Sequence, residues 1–115
     1  MQSIRLARSI TLSTTDPDIL RNTNVGFAER PSMVNVYGVQ ETAVDDIQIT
    51  VSIGQQQVLL RSDLPLRAGA GPNKPDDLLA QAFAPAGSKI QIDLFNTDAA
   101  ATRVARIAVD VQPVA

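Results

Sequence analysis

The chain has no cysteine, no histidine and no tryptophan, and only one tyrosine and three phenylalanines in 115 residues. Without Cys or His there is no disulfide, no thiolate or imidazole metal ligand, no Cys–His or Ser–His catalytic pair, and no histidine pH switch. Most familiar enzyme chemistry is thereby excluded. The scarcity of aromatics also disfavours a lectin-like surface, since only Phe27, Tyr37, Phe83 and Phe95 could serve as platforms. Neither sign of charge dominates: 10 Lys and Arg stand against 12 Asp and Glu, a net charge of −2, which offers no broad attraction for nucleic acid or anionic membrane. Long apolar runs are missing as well, and none approaches the roughly 20 residues that span a bilayer. At the start, Met1 to Arg8 interleaves arginines with apolar residues, unlike a signal peptide, whose charges precede an apolar block. The expectation is a protein made in the cytoplasm with no membrane role.

What is present is a folded domain's composition, 44% hydrophobic and 19% charged. The length allows a single domain over residues 1–115 with an aliphatic core. Apolar residues recur with period two along most of the chain, the signature of half-buried strands. Ile4, Leu6, Ile10 and Leu12 share one parity, broken by Arg8, so residues 1–12 read as an edge strand or an N-terminal arm. Residues 13–18 are turn chemistry and open a loop to Asn24. Val25 and Phe27 share the apolar side of a short strand that ends before Pro31. Ile47, Ile49, Val51 and Ile53 form the clearest run; Gly54 to Gln57 turns it back into Val58–Leu59–Leu60 as a hairpin. Leu64–Pro65–Leu66 reads as a short edge strand because proline lacks the amide a central strand needs. Residues 68–77 concentrate glycine, proline and aspartate in the longest loop, and Leu78 to Ala84 favours strand over a helical turn. Ile90, Ile92 and Leu94, then Ala105, Ile107, Val109 and Val111, complete about eight strands. That count, with no long helix, predicts an all-β antiparallel sandwich, with the jelly roll preferred over an immunoglobulin-like arrangement.

The segment Ser32 to Val39 is apolar on both faces, with Val34 and Val36 on one and Met33, Tyr37 and Val39 on the other. Something must cover its outer side, either a second subunit or a loop of the same chain. Asp45–Asp46, Asp76–Asp77, Asp93 and Asp98 could supply oxygen ligands to calcium, but neighbours on an extended chain point apart and no EF-hand spacing is present, so they read as solvated turn acids. Eight of the ten basic residues are Arg. Their planar forks suit protein interfaces, although compositional bias enriches Arg equally well.

The strand rhythm, the segment Pro31 to Val39, the Gly54–Gln57 turn, the Pro75–Asp77 loop, Ala86 to Ile90, the Asn96–Thr97 turn and the closing Val111 to Val114 together resemble small structural proteins of tailed bacteriophages. The resemblance is to capsid cement or decoration proteins. It implies a non-enzymatic β-sandwich subunit without cofactors, a homotrimer bound to the major capsid protein on the exterior of the virion. It further implies subunit contacts at Met33, Tyr37, Val39, Leu64 and Leu66, and capsid contacts at Arg5 and Arg8. Arg8 has a second reading, an inward charge that keeps an edge strand from pairing wrongly. A tail, neck or fibre adaptor would share the same rhythm, and a carbohydrate-binding β-domain is the more distant alternative.

Overall fold

The computed structural model describes residues 2–11, 13–21, 23–41, 47–65, 72, 77–98 and 102–114. Among them there is no helix, and nine strands follow in order: β1 (Gln2–Ile10), β2 (Thr15–Asp16), β3 (Phe27–Ala28), β4 (Ser32–Gln40), β5 (Ile47–Ile53), β6 (Gln56–Asp63), β7 (Leu78–Ala84), β8 (Ser88–Asn96) and β9 (Arg103–Pro113). They form two antiparallel sheets. One runs β1-β9-β4-β7; the other runs β2-β8-β5-β6, with β3 also paired to β8.

Period two explains the core directly. On the first sheet Val34 and Val36 of β4 lie opposite Val111 and Val109 of β9, and all four are buried. On the second, Ile49, Val51 and Ile53 lie opposite Leu94, Ile92 and Ile90, again buried. These rows face each other between the sheets, while Gln48, Thr50, Ser52, Gln91 and Asp93 leave the second sheet a wet outer face. Gly54, at a left-handed φ of 61°, makes the tight β5–β6 turn, so Gln56 already pairs with Ile53.

Several expectations need correction. Thr15–Asp16 is strand, and the segment after it is no free loop: Ile19 donates to the Ile92 carbonyl at 2.9 Å and buries itself, with Leu20 and Val25, in the core. Val25 and Phe27 do not share a face; Ala28 is the buried partner, and Phe27 is 56% exposed. Leu64–Pro65 is not a strand. Leu64 is a core residue whose amide donates to the Ile47 carbonyl, and Pro65 accepts from Gln40 N–H. Leu66 lies outside the described residues.

Gly38 sits at a closely packed point of the core. A Cβ there would lie 2.8 Å from Ile107 Cδ1 and 3.0 Å from both Leu64 Cδ2 and Leu79 Cδ1. Leu79 reaches this spot because β7 carries a bulge opposite Tyr37, which turns Leu79 inward beside Ala80. Gly38→Ala is therefore expected to destabilise by about 1–3 kcal/mol through overpacking, read as a lower urea midpoint at unchanged slope.

Candidate functional site

The outer face of the β1-β9-β4-β7 sheet divides in two. At one end Tyr37, Val39 and Ala108 are buried at 6%, 0% and 0% exposure. They are buried within the single chain, and nearby on β1 Arg5 Nη1 donates a 3.1 Å hydrogen bond to the carbonyl of buried Pro72. On β4 itself, the Gly38 N–H donates to the Asp77 carbonyl. Gln40, 1% exposed, fixes the near end by donating Nε2 to the Leu64 carbonyl at 2.7 Å. Of the two ways to cover this end of the doubly apolar strand, cover from within its own chain is the one in place, since these residues are buried in a single subunit.

Toward β7 the same face opens. Phe83 is 50% exposed, Leu78 is 40% exposed, and Met33, directly opposite Phe83, is half-buried. Nearby, Asn35 Oδ1 is buried with no donor among the described residues. The accessible apolar patch is therefore in two parts, Leu78 toward one end and Phe83 with half-buried Met33 at the other, with Asn35 and Gln81 between them. Of the expected contact residues only Met33 belongs to it; Tyr37, Val39 and Leu64 offer no surface. Leu78 and Phe83 stand outside the expected contact set, because the segment Leu78 to Ala84 reads only as a strand with no face assigned. The usable signal was parity, since Phe83 and Gln81 alternate with Ala80, Ala82 and Ala84.

Arg8 faces inward on the edge strand β1. Its Nε and Nη2 donate to Asp16 Oδ2 and Oδ1 at 2.7 and 3.1 Å, so the fork clamps the edges of the two sheets together. The hydrogen bond to Asp16 raises the Arg8 pKa above its ordinary value; burial opposes the shift and the Asp16 charge adds to it. With the Arg8 side chain 42% exposed, solvent screens the pair. Arg8→Ala is accordingly expected to cost no more than about 1 kcal/mol, and a double-mutant cycle with Asp16→Ala measures the coupling.

A separate groove of about 500 Å³ lies beside β8, lined by Asp18, Arg21, Asn24, Phe27, Glu29 and Lys89. Asp18 holds a left-handed φ of 48°, and its Oδ2 pairs with Lys89 Nζ at 2.9 Å. Elsewhere the acids weighed for calcium serve as structural acceptors: Asp93 Oδ1 takes the Asp18 amide, and Asp98 Oδ2 takes Arg103 Nε and Nη2. Asp77 is buried, and Asp45, Asp46 and Asp76 lie outside the described residues. Among the described residues no three carboxylates gather as a metal site. The geometry offers surfaces for binding, at the open end of one sheet face and in one groove. No family model, curated protein or solved structure matches the chain.

Proposed function

We propose that this chain is a non-enzymatic structural subunit, a cement or decoration protein of a tailed-phage capsid that self-associates, as a homotrimer, on the outside of the shell. The observation that carries the reading is the strand order. With β2 and β3 taken as one interrupted edge along β8, eight strands remain in the pairs of sheets β1-β9-β4-β7 and β2-β8-β5-β6. Each sheet draws strands alternately from both halves of the chain. This order supports the jelly-roll reading of the sandwich, an architecture used by viral capsid proteins and also by lectins and cupins. A fold shared so widely leaves the function to the surface. Here exposed Leu78 and Phe83, with half-buried Met33 beside Phe83, favour a protein contact. A subunit that binds only the assembled shell stabilises it by mass action, with no chemistry required.

The second reading, a carbohydrate-binding domain, rests on the groove where exposed Phe27 stands beside Asp18, Asn24 and Lys89. Two measurements separate the readings. Sedimentation equilibrium across a wide dilution range gives a trimer mass on the first reading. Cosedimentation with empty heads, and not with purified tails, of the phage that encodes the chain then identifies the shell as partner. A monomer that leaves heads unbound overturns the proposal, and binding to tails alone moves the protein to the adaptor class.

A further inference from the structure

The two sheets have four outer edges, and three are protected against added strands. The first, β1, carries the inward charge of Arg8, which is engaged with Asp16. On the second sheet, β8 is covered along one side by the two short strands β2 and β3 and by the backbone bonds of Ile19 and Gly26. At the opposite edge, β6 is interrupted by register shifts opposite Ile49, Val51 and Ser52, and Arg61 sits there at a left-handed φ of 47°. Inward charge, very short strands and bulges are the devices by which sheet edges avoid further pairing.

The fourth edge, β7, is different. Leu78–Ala84 reads Leu-Leu-Ala-Gln-Ala-Phe-Ala, with no charge, no proline and no glycine. Its bulge lies at the Leu78 end, so Ala80 to Ala84 pair regularly with β4 and present a straight run of backbone on the outer side, where no strand pairs among the described residues. The inward row along this run, Ala80, Ala82 and Ala84, is all alanine. Facing it across the sandwich, Val58 and Leu59 of β6 pack against the core but stay only partly buried. The open side is thus lined by apolar groups that small side chains leave incompletely covered.

We infer that the β7 edge is a strand-acceptor site, occupied by an extended segment of another protein with large aliphatic side chains at alternate positions. The free backbone supplies the hydrogen bonds, and the alanine row sets which side chains fit, as in strand addition generally. A second copy of β7 is a poor occupant. Matching inner faces in an antiparallel pair centred on Ala82 sets Ala82 against Ala82 and Ala80 against Ala84, which adds almost no apolar volume. A partner strand with Ile or Val on that side covers Val58 and Leu59 as well. The inference is independent of the capsid reading, because it requires a strand and not a particular virion.

The test uses the full chain and a capped peptide of alternating Ile and Thr, about as long as β7, with a control in which Ala replaces each Ile. Amide chemical shifts and hydrogen exchange report where the peptide binds. The expected result is shifts and new protection concentrated at residues 78–84, with binding at least about tenfold tighter for the Ile peptide than for the Ala peptide. Ala82→Lys, which gives β7 the inward charge that β1 already has, abolishes the effect. Absence of shifts in β7 at saturating peptide, equal binding of the two peptides, or unchanged binding by a folded Ala82→Lys variant overturns the inference. So does protection of β7 amides on concentrating the protein alone, the mark of a β7–β7 dimer. Should Ala82→Lys fail to fold, the comparison of the two peptides decides.

Discussion

Ile92→Ala is expected to lower the unfolding free energy by about 2–5 kcal/mol, against a total of roughly 5–15 kcal/mol for a domain of this kind. Ile92 has 0% exposure and sits on β8, paired with Val51 on one side, while its carbonyl accepts the Ile19 amide on the other. Truncation removes buried methyl and methylene groups where sheet and turn converge from three directions. Strand β5 on one flank and the hydrogen-bonded Ile19 turn on the other cannot close the resulting cavity. The comparison variant is Ile4→Ala on the edge strand β1, where Ile4 is only partly buried and the site can relax. Its cost should be clearly smaller. Urea unfolding of both variants with unchanged slopes gives the two values, and a deficit for Ile4→Ala as large as that for Ile92→Ala would contradict the assignment of β8 to the centre and β1 to the rim.

The contrast between those two strands also explains what could be read in the chain itself. β5, β8 and the second half of β9 declare themselves because each has one face in the core and polar residues on much of the other, so period two is visible in composition. Thr15–Asp16 is invisible for the opposite reason: its pairing is demanded by the unpaired edge of β8 and uses backbone groups, while its own side chains are those of a turn. Ala28 and Phe27 exchange their expected places because small Ala28 lies against the β8 turn, its carbonyl accepting Gly87 N–H at 2.7 Å. Leu64 shows that a buried residue need not belong to a strand; it fills the space that Gly38 leaves open.

For the interaction surface the difficulty was of another kind. That Met33 to Val39 needed cover was legible, but which polymer supplies it depends on contacts far apart in sequence, such as Arg5 with Pro72. Arg8 illustrates the same point. Its break in parity was visible at once, but the partner that explains it, Asp16, lies across the gap between two sheets. One residue in the same neighbourhood reads in the sequence only as part of a turn, although its role there is larger.

Asn96 is that residue, fully buried at 0% exposure on the inward parity of β8, where an aliphatic side chain would be expected. Its Nδ2 donates to the Ile10 carbonyl at 3.0 Å, and its Oδ1 accepts the Asp98 amide at 2.9 Å. Ile10 ends β1 in one sheet and Asn96 ends β8 in the other, so this amide joins the two sheets beyond the Arg8–Asp16 clamp. Asn96→Leu keeps the approximate volume but leaves the Ile10 carbonyl and the Asp98 amide without these partners. At about 1–3 kcal/mol for each buried group left unmade, partly offset by the apolar gain, the expected loss is about 2–4 kcal/mol. Asn96→Asp isolates the bond to Ile10. Its carboxylate can still accept from Asp98 but cannot donate, and burial disfavours the charged form, which raises the folded-state pKa above the unfolded one. The sign follows: the variant binds more protons folded than unfolded, so its stability relative to the parent rises as pH falls through the carboxylate range, where the protonated group can donate to Ile10 again. The Asn96→Leu deficit should stay flat over the same range. If both variants show the same pH profile in urea titrations, the Asn96 donor to Ile10 is not what holds this end of the sandwich together.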